Sequence, residues 1–458
     1  MSATCACRHS LGGPRLICAV TVLLTGLTGQ PALAGEAAPQ NPPAQPAGQA
    51  APPVAQAAPP YRGLFGAGSP AAPGGHALDL TTSIYQEYGN TVDDAGLALA
   101  DVLTTGWFMG MRGGLSFEKA GRDTRFGLRG EGAFRYYRDT NLTTSPRFRL
   151  DVGVDSRTGT RGQNILRLGG SVDYEPYYIL PLFPSAAPVT GGAAILPSSR
   201  DDLIFRRNRY IYGQTLGLER QVSPRTYVSI HEEARYTEAD TPGLDVRSVR
   251  VGARYGYRVT RNASLRLGYA YQTGRYGTDA AQQMEAHDVD ISLDYQRPLT
   301  RSRRTTFGFG AGSSRITAQA NRKWEIVGTV NLRHEFEMGW FLQGDFRRTV
   351  QLVEGFADPF MVNTVTGSLG GFMGRRVELL ASGGYSRGVI GFGADSYDAL
   401  QGSARLRLAL ARFLAVDAEA LANQYTFAAQ VPLPPGVPAA LNRWAVRWNV
   451  SLWLPLSR

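Results

Sequence analysis

The sequence predicts an all-β fold, a transmembrane antiparallel up-and-down β-barrel of eighteen strands within a range of sixteen to eighteen. Three observations predict it. Nearly the whole chain beyond residue 78 alternates apolar with polar or glycine, the two-residue period of a strand with one dry and one wet face. A secretory-type leader stands in front of it. Short and long connections alternate between the strands, as they do when turns face a periplasm and loops face outside.

In the leader, Arg8 and Arg15 give a positive n-region, and residues 16–27 form a short apolar run. Ala32-Leu33-Ala34 then reads as a small-residue cleavage site, so residues 1–34 are expected to be a signal peptide. The run is too short to span a bilayer as a helix. Residues 35–77, rich in Ala, Pro, Gln and Gly, cannot bury a core and are expected to form a disordered periplasmic spacer. Residues 78–458 are the expected barrel.

Composition removes several function classes. Cys5, Cys7 and Cys18 all lie in the leader, so disulfides, thiolate metal sites and a cysteine nucleophile are excluded from the rest. Leu16-Ile17 before Cys18 does not fit a lipoprotein cleavage site. The net charge is +10, and the only lysines are Lys119 and Lys323. The arginines are spread over many strands among Asp and Glu, whereas a nucleic-acid binder concentrates its charge in a patch or tail. Mean hydropathy is −0.20, which suits a barrel that hides its apolar positions in alternation.

The strands are predicted in order as follows. The spacer gives way to 78–88, then 104–118, 123–137, 146–156 and 164–176. After an insertion come 207–221, 225–238, 245–259 and 263–277, joined by turns at 221–225 and 259–262. Next are 285–299, 303–316, 323–336 and 340–353, the last pair joined at 337–339. Then 361–373, 376–389, 398–411 and 414–428 follow, with turns at 374–375 and 411–412, before 441–455 closes the series. Longer connections fall at 177–206, 239–244, 278–284, 317–322, 354–360, 390–397 and 429–440.

The parity within strands separates a wet from a greasy face. Val249, Val251, Tyr255 and Tyr257 oppose Arg250, Gly252, Arg254 and Gly256. Leu265, Leu267 and Tyr269 oppose Arg266 and Gly268; Val289, Ile291 and Leu293 oppose Asp288, Asp290 and Asp294. In the last strand Trp444, Val446, Trp448 and Val450 oppose Arg443, Arg447, Asn449 and Ser451. A soluble sandwich would alternate in the same way. Aromatics near strand ends favour the membrane, because Tyr136, Tyr174, Tyr236, Tyr255, Tyr257, Tyr269, Tyr271, Trp324, Trp340 and Trp444 suit interfacial girdles.

The inward parity names the candidate lumen-lining residues: Arg250, Arg254, Arg266, Asp288, Asp290, Asp294, Arg405, Arg407, Asp417 and Glu419. A turn at 411–413 sets Arg407 opposite Asp417 and Arg405 opposite Glu419, a spacing that braces a wall. The arginines of 245–259 and 263–277 are expected to be unpaired and open to a solute. The loop 177–206, apolar and proline-bearing, is expected to fold into the mouth. The stretch 427–441, with four prolines, is expected to be a stiff external loop. No nucleophile or metal spacing accompanies His231, His287 or His334, so no enzyme, metal or cofactor is expected.

The segments Tyr257-Arg-Val-Thr-Arg-Asn-Ala-Ser-Leu-Arg-Leu-Gly-Tyr-Ala-Tyr271 and 295–312 share a pattern: a strand ending in Tyr, a short Thr/Ser/Arg turn, and a Leu/Phe–Gly–Tyr/Phe strand. In this the chain resembles outer-membrane β-barrel porins of Proteobacteria, some of them associated with exopolysaccharide export. The resemblance implies a bacterial outer-membrane location and insertion by the barrel assembly machinery. It implies outer-membrane lipid as surroundings, polysaccharide export components as partners, and no catalytic residues. Such proteins usually finish on an aromatic residue, whereas this chain finishes on Ser457-Arg458. Two functions from different classes follow: passage of hydrophilic solute, in its most specific form export of an anionic exopolysaccharide, or a non-conducting envelope scaffold with a loop-plugged lumen.

Overall fold

The computed structural model describes residues 74–92, 106–137, 142–143, 147–159, 163–179, 203–240, 245–260, 263–276, 283–295, 305–318, 321–336, 339–351, 353, 356, 358–393, 396–433 and 437–457. The expected signal peptide, nearly all of the spacer and the centre of the loop 177–206 lie outside these residues.

The strands are β1 (His76–Val92), β2 (Gly106–Ala120), β3 (Thr124–Tyr137), β4 (Leu142–Thr143), β5 (Arg147–Thr158), β6 (Asn164–Ile179), β7 (Leu203–Ser223), β8 (Thr226–Ala239), β9 (Val246–Arg258) and β10 (Ala263–Tyr276). They continue as β11 (Gln283–Tyr295), β12 (Thr305–Ala318), β13 (Asn321–Glu335), β14 (Phe341–Gln351), β15 (Phe360–Met373), β16 (Val377–Ile390), β17 (Ser396–Ala409), β18 (Leu414–Phe427) and β19 (Ala440–Ser457). β4 is a two-residue extension pairing with the end of β3. The other eighteen are the barrel wall.

Each wall strand pairs antiparallel with its sequence neighbours, and β1 pairs with both β2 and β19, which closes the sheet. Closure leaves no edge of unpaired backbone groups, the condition for a sheet to cross hydrocarbon. The register at the seam sets Glu87 opposite Arg447 and Ile84 opposite Val450.

The expected parity is the observed one. The outward set carries exposed Ile84, Met111, Leu168, Ile230, Leu267, Ile291, Val365, Leu406 and Val450. Aromatics cluster on this face near both ends. Tyr88 lies 5.0 Å from Trp107 and 5.6 Å from Trp444 towards the long loops, and Phe117 lies 6.2 Å from Phe126 beside a short turn. Trp340, beside the β13–β14 turn, packs over Gly371 on the same outward parity, where a Cβ would collide with the indole. Tight reversals use glycine where the backbone demands it: Gly374, in the β15–β16 turn, has φ +68°.

One connection departs from expectation. The 317–322 connection was expected to be one of the longer ones, but β12 and β13 run on until only residues 319–320 join them. Pairing extends to Ala318 opposite Asn321, so continued ladder hydrogen bonds replace a loop. The expected end of the 285–299 strand beyond Tyr295 lies outside the described residues.

The seam is held by charge as well as backbone. Glu87 on β1 is fully buried and accepts from Arg443 at 3.1 Å and from Arg447 Nε at 2.7 Å, both on β19. Removing the carboxylate leaves two buried guanidiniums without it. Glu87→Gln is therefore expected to lower unfolding free energy by about 3–5 kcal/mol, read as an earlier urea midpoint of the detergent-folded barrel. An unchanged midpoint would show that the pair contributes nothing to closure.

Candidate functional site: a charged lumen under a folded-in mouth

The inner face is uneven around its circumference. Its most extensive buried ion-pair network runs over β16–β19 and β1, the dry sector; a smaller buried pair joins Glu175 and Arg209 on β6 and β7, and on β9–β11 the wall leaves charges open to solvent, the wet sector. The Arg407 and Asp417 side chains are 2% and 3% exposed, whereas Arg250 on β9 is 44% exposed and its partner Asp288 on β11 is 21% exposed.

The dry sector is a network of crossed ion pairs. Arg407 bonds Asp417 directly opposite it, as the turn at 411–413 predicts. Arg405 also stands opposite Glu419 in the register, but its carboxylate partner is Glu378 on β16, at 3.5 Å. Glu419 is reached by Arg447 of β19 at 3.6 Å. Asn449 and Ser451 each donate to the second oxygen of Asp417 at 3.0 Å. The strands are close enough that a long side chain can take a partner on either flank, and this arrangement gives each acid an arginine. The network lines a cavity of about 30 Å³ with Tyr85 and Arg112, room for one or two waters. Tyr85 lies flat over Gly110, where a Cβ would strike its ring.

The wet sector carries the remaining candidates. Arg250 was expected to be unpaired; it instead reaches Asp288 at 3.2 Å diagonally across β10, where Gln272 stands opposite Arg250 and Ala270 opposite Asp288. The buried Nε of Arg254 makes no hydrogen bond among the described residues. Arg266 stands opposite Gly256 and Ser292 on the same face. Asp290 folds over Gly268, and His231 lies over Gly252. Asp294 keeps the inward register position opposite Ser264 and Gly308, and its side chain lies outside the described residues. Further round, Arg149 bonds Asp151 at 2.8 Å and lies 3.6 Å from Asp173, while Arg129 lies 2.6 Å from Glu131. Towards the 180–202 connection, Glu175 accepts from Arg147 at 2.6 Å and from Arg209 Nε at 2.8 Å.

Sequence reasoning missed the mouth. The stretch 427–441, expected to stand outside, turns in: Val431 and Val437 are buried against Tyr397, Tyr425, Phe427 and Leu441 on the lumen wall. Water is excluded by this apolar packing, which is why a proline-rich loop does not remain exposed. Val353 and Phe356 of the β14–β15 connection join the same cluster, with the Phe356 ring 4.8 Å from Phe360. Phe392, between β16 and β17, packs against Val246, Met284 and Ala318 on β9, β11 and β12. β9 is seven strands round the wall from β16, so this ring reaches across the mouth. Its connection is fastened by the Gly391 N–H, which donates to Pro359 O at 2.8 Å. Gly391 has φ +68° and Asp358 against its Cα, so a side chain there meets both strain and a neighbour. The one available signal was composition: Phe392 stands alone between Gly391 and Gly393, an apolar ring in a loop with nothing local to bury it.

Among the described residues no group of three His, Cys, Asp or Glu side chains could hold a metal ion.

No family model and no curated protein matches the chain. Similar solved structures include Pseudomonas aeruginosa OccK2 (OpdF) in complex with glucuronate, at 12% identity and TM-score 0.46, covering 83% of this chain and 98% of that one. The outer membrane protein OpdK of Pseudomonas aeruginosa matches at 13% identity and TM-score 0.43, covering 84% and 100%. The FrpB iron transporter of Neisseria meningitidis matches at 8% identity and TM-score 0.39, covering 81% of each chain. Likenesses of this size carry nothing about solute or mechanism.

Phe392→Ala is expected to widen the mouth and raise single-channel conductance in planar bilayers by about twofold, the gain from shortening one narrow segment of a pore. Unaltered conductance would place the narrowest point elsewhere.

Proposed function

We propose that this chain is a bacterial outer-membrane channel that passes small hydrophilic solutes and favours anions. The observation that carries the proposal is the division of the closed wall: large apolar side chains exposed outside, and charged side chains, several still open to solvent, inside. The outer face matches acyl chains and the inner face matches water. The arginines Arg250, Arg254 and Arg266 sit together on β9 and β10 in the wet sector, with Asp288 and Asp290 on the neighbouring β11 and Glu233 opposite Arg250 on β8. Guanidiniums in a low-dielectric wall can exchange a carboxylate of that wall for an anion in the lumen, which lowers the anion's entry barrier.

Small solutes are favoured over a polymer by Phe392, which crosses the mouth. Export of an anionic exopolysaccharide is the more specific form of the same proposal. It rests on the lumen arginines alone, and it would need the Phe392 connection to move aside.

A second reading has an observation of its own. The folded-in Val353, Phe356, Val431 and Val437 suit a closed scaffold as well as a narrowed pore. Conductance decides between them. Steady channels with anion over cation selectivity are expected in planar bilayers, and replacing Arg250, Arg254 and Arg266 by Gln should reduce the selectivity several-fold with the channels still present. Silence from the intact barrel, relieved when residues 429–438 between β18 and β19 are deleted, would establish the scaffold instead.

A further inference from the structure

The short-turn rim carries arginines that the lumen does not use. Arg122 lies in the β2–β3 turn, Arg225 in β7–β8, Arg375 and Arg376 in β15–β16, and Arg412 in β17–β18; Arg220 stands on the outward face at the end of β7. All six are exposed. None of them forms an ion pair among the described residues, unlike the arginines of the inner wall. Asp123 is the acid that shares these four turns.

Each turn also presents apolar side chains to the outside. The Phe117–Phe126 pair sits above Arg122, and Val222 precedes Arg225. Met373 precedes Arg375, and Leu410 and Phe413 flank Arg412. An apolar group beside a guanidinium is the pattern of a side chain set at the boundary between acyl chain and headgroup. The guanidinium fork fits phosphate oxygens in pairs.

We infer that this rim binds the phosphate headgroups of anionic phospholipid in the periplasmic leaflet. The inference rests on the membrane reading above. The distribution selects lipid over a protein partner. The four turns are spread around the barrel, and a leaflet meets the whole circumference, whereas one docked protein would need its cations on one side. The rim thus fixes the depth of the barrel and gathers a ring of acidic lipid around it.

The test reconstitutes the barrel in vesicles of phosphatidylethanolamine and phosphatidylglycerol at three to one, extracts it gently, and measures the lipid that stays bound by native mass spectrometry. Phosphatidylglycerol is expected to be enriched about fivefold over its bulk share, the ratio equivalent to one well-placed arginine at a charged surface. Changing the six arginines to Gln should return the bound lipid to the bulk ratio, and so should washing the unaltered protein in molar salt, where screening is nearly complete. Equal enrichment in the variant, or none in the unaltered protein, overturns the inference. Channel conductance is recorded on the same samples, so a variant that still conducts but loses its lipid separates this result from a failure of the barrel.

Discussion

Closure of β1 on β19 is the constraint on which everything else depends. Until that seam forms, eighteen strands present two open edges, and neither edge can stand in hydrocarbon. Once it forms, each strand has a fixed register, and the two-residue period sends one parity out and the other in. The seam is also where charge is buried most deeply, with Glu87 held between Arg443 and Arg447. Segments from the two ends of the barrel sequence supply the acid and its two bases, so this contact exists only when the sheet is complete.

From closure follows the division of labour inside. The sector from β15 to β1 is packed like a core, with ion pairs that begin beside the short β17–β18 turn and an apolar cluster at the mouth. Buried pairs of this kind contribute little net stability against a hydrophobic alternative, but breaking one is expensive, so they pin the geometry of the wall. The opposite sector leaves its charges in contact with solvent, and there the arginines of β9 and β10 can act on a solute. Phe392 reaches from the β16–β17 connection to β9, β11 and β12, and so joins the two sectors at the mouth.

Much of this was legible in the sequence, for a physical reason. Alternation reports the two faces directly, and short turns fix register, so the Arg407–Asp417 opposition could be read from a single hairpin. What could not be read is any choice among neighbours beyond the hairpin. Arg405 prefers Glu378, two positions over on the next strand, because Arg447 arrives from β19 to take Glu419. Arg250 meets Asp288 diagonally across β10, a pairing two strands away that no single hairpin specifies. The mouth was opaque for a different reason. Proline and valine in 427–441 describe a stiff apolar loop, but whether its apolar side turns in depends on Tyr397, Tyr425 and Leu441 offering a surface.

The central claim is that one parity of every strand meets lipid and the other faces the lumen, which is wet along β9–β11. A nitroxide scan along residues 265–272 of β10, with Cys5, Cys7 and Cys18 replaced by serine, tests it most directly. In bilayers, odd positions are predicted to respond to dissolved oxygen and even positions to a water-soluble nickel chelate, alternating without a break. A uniform response, or odd positions open to the chelate, would contradict the account.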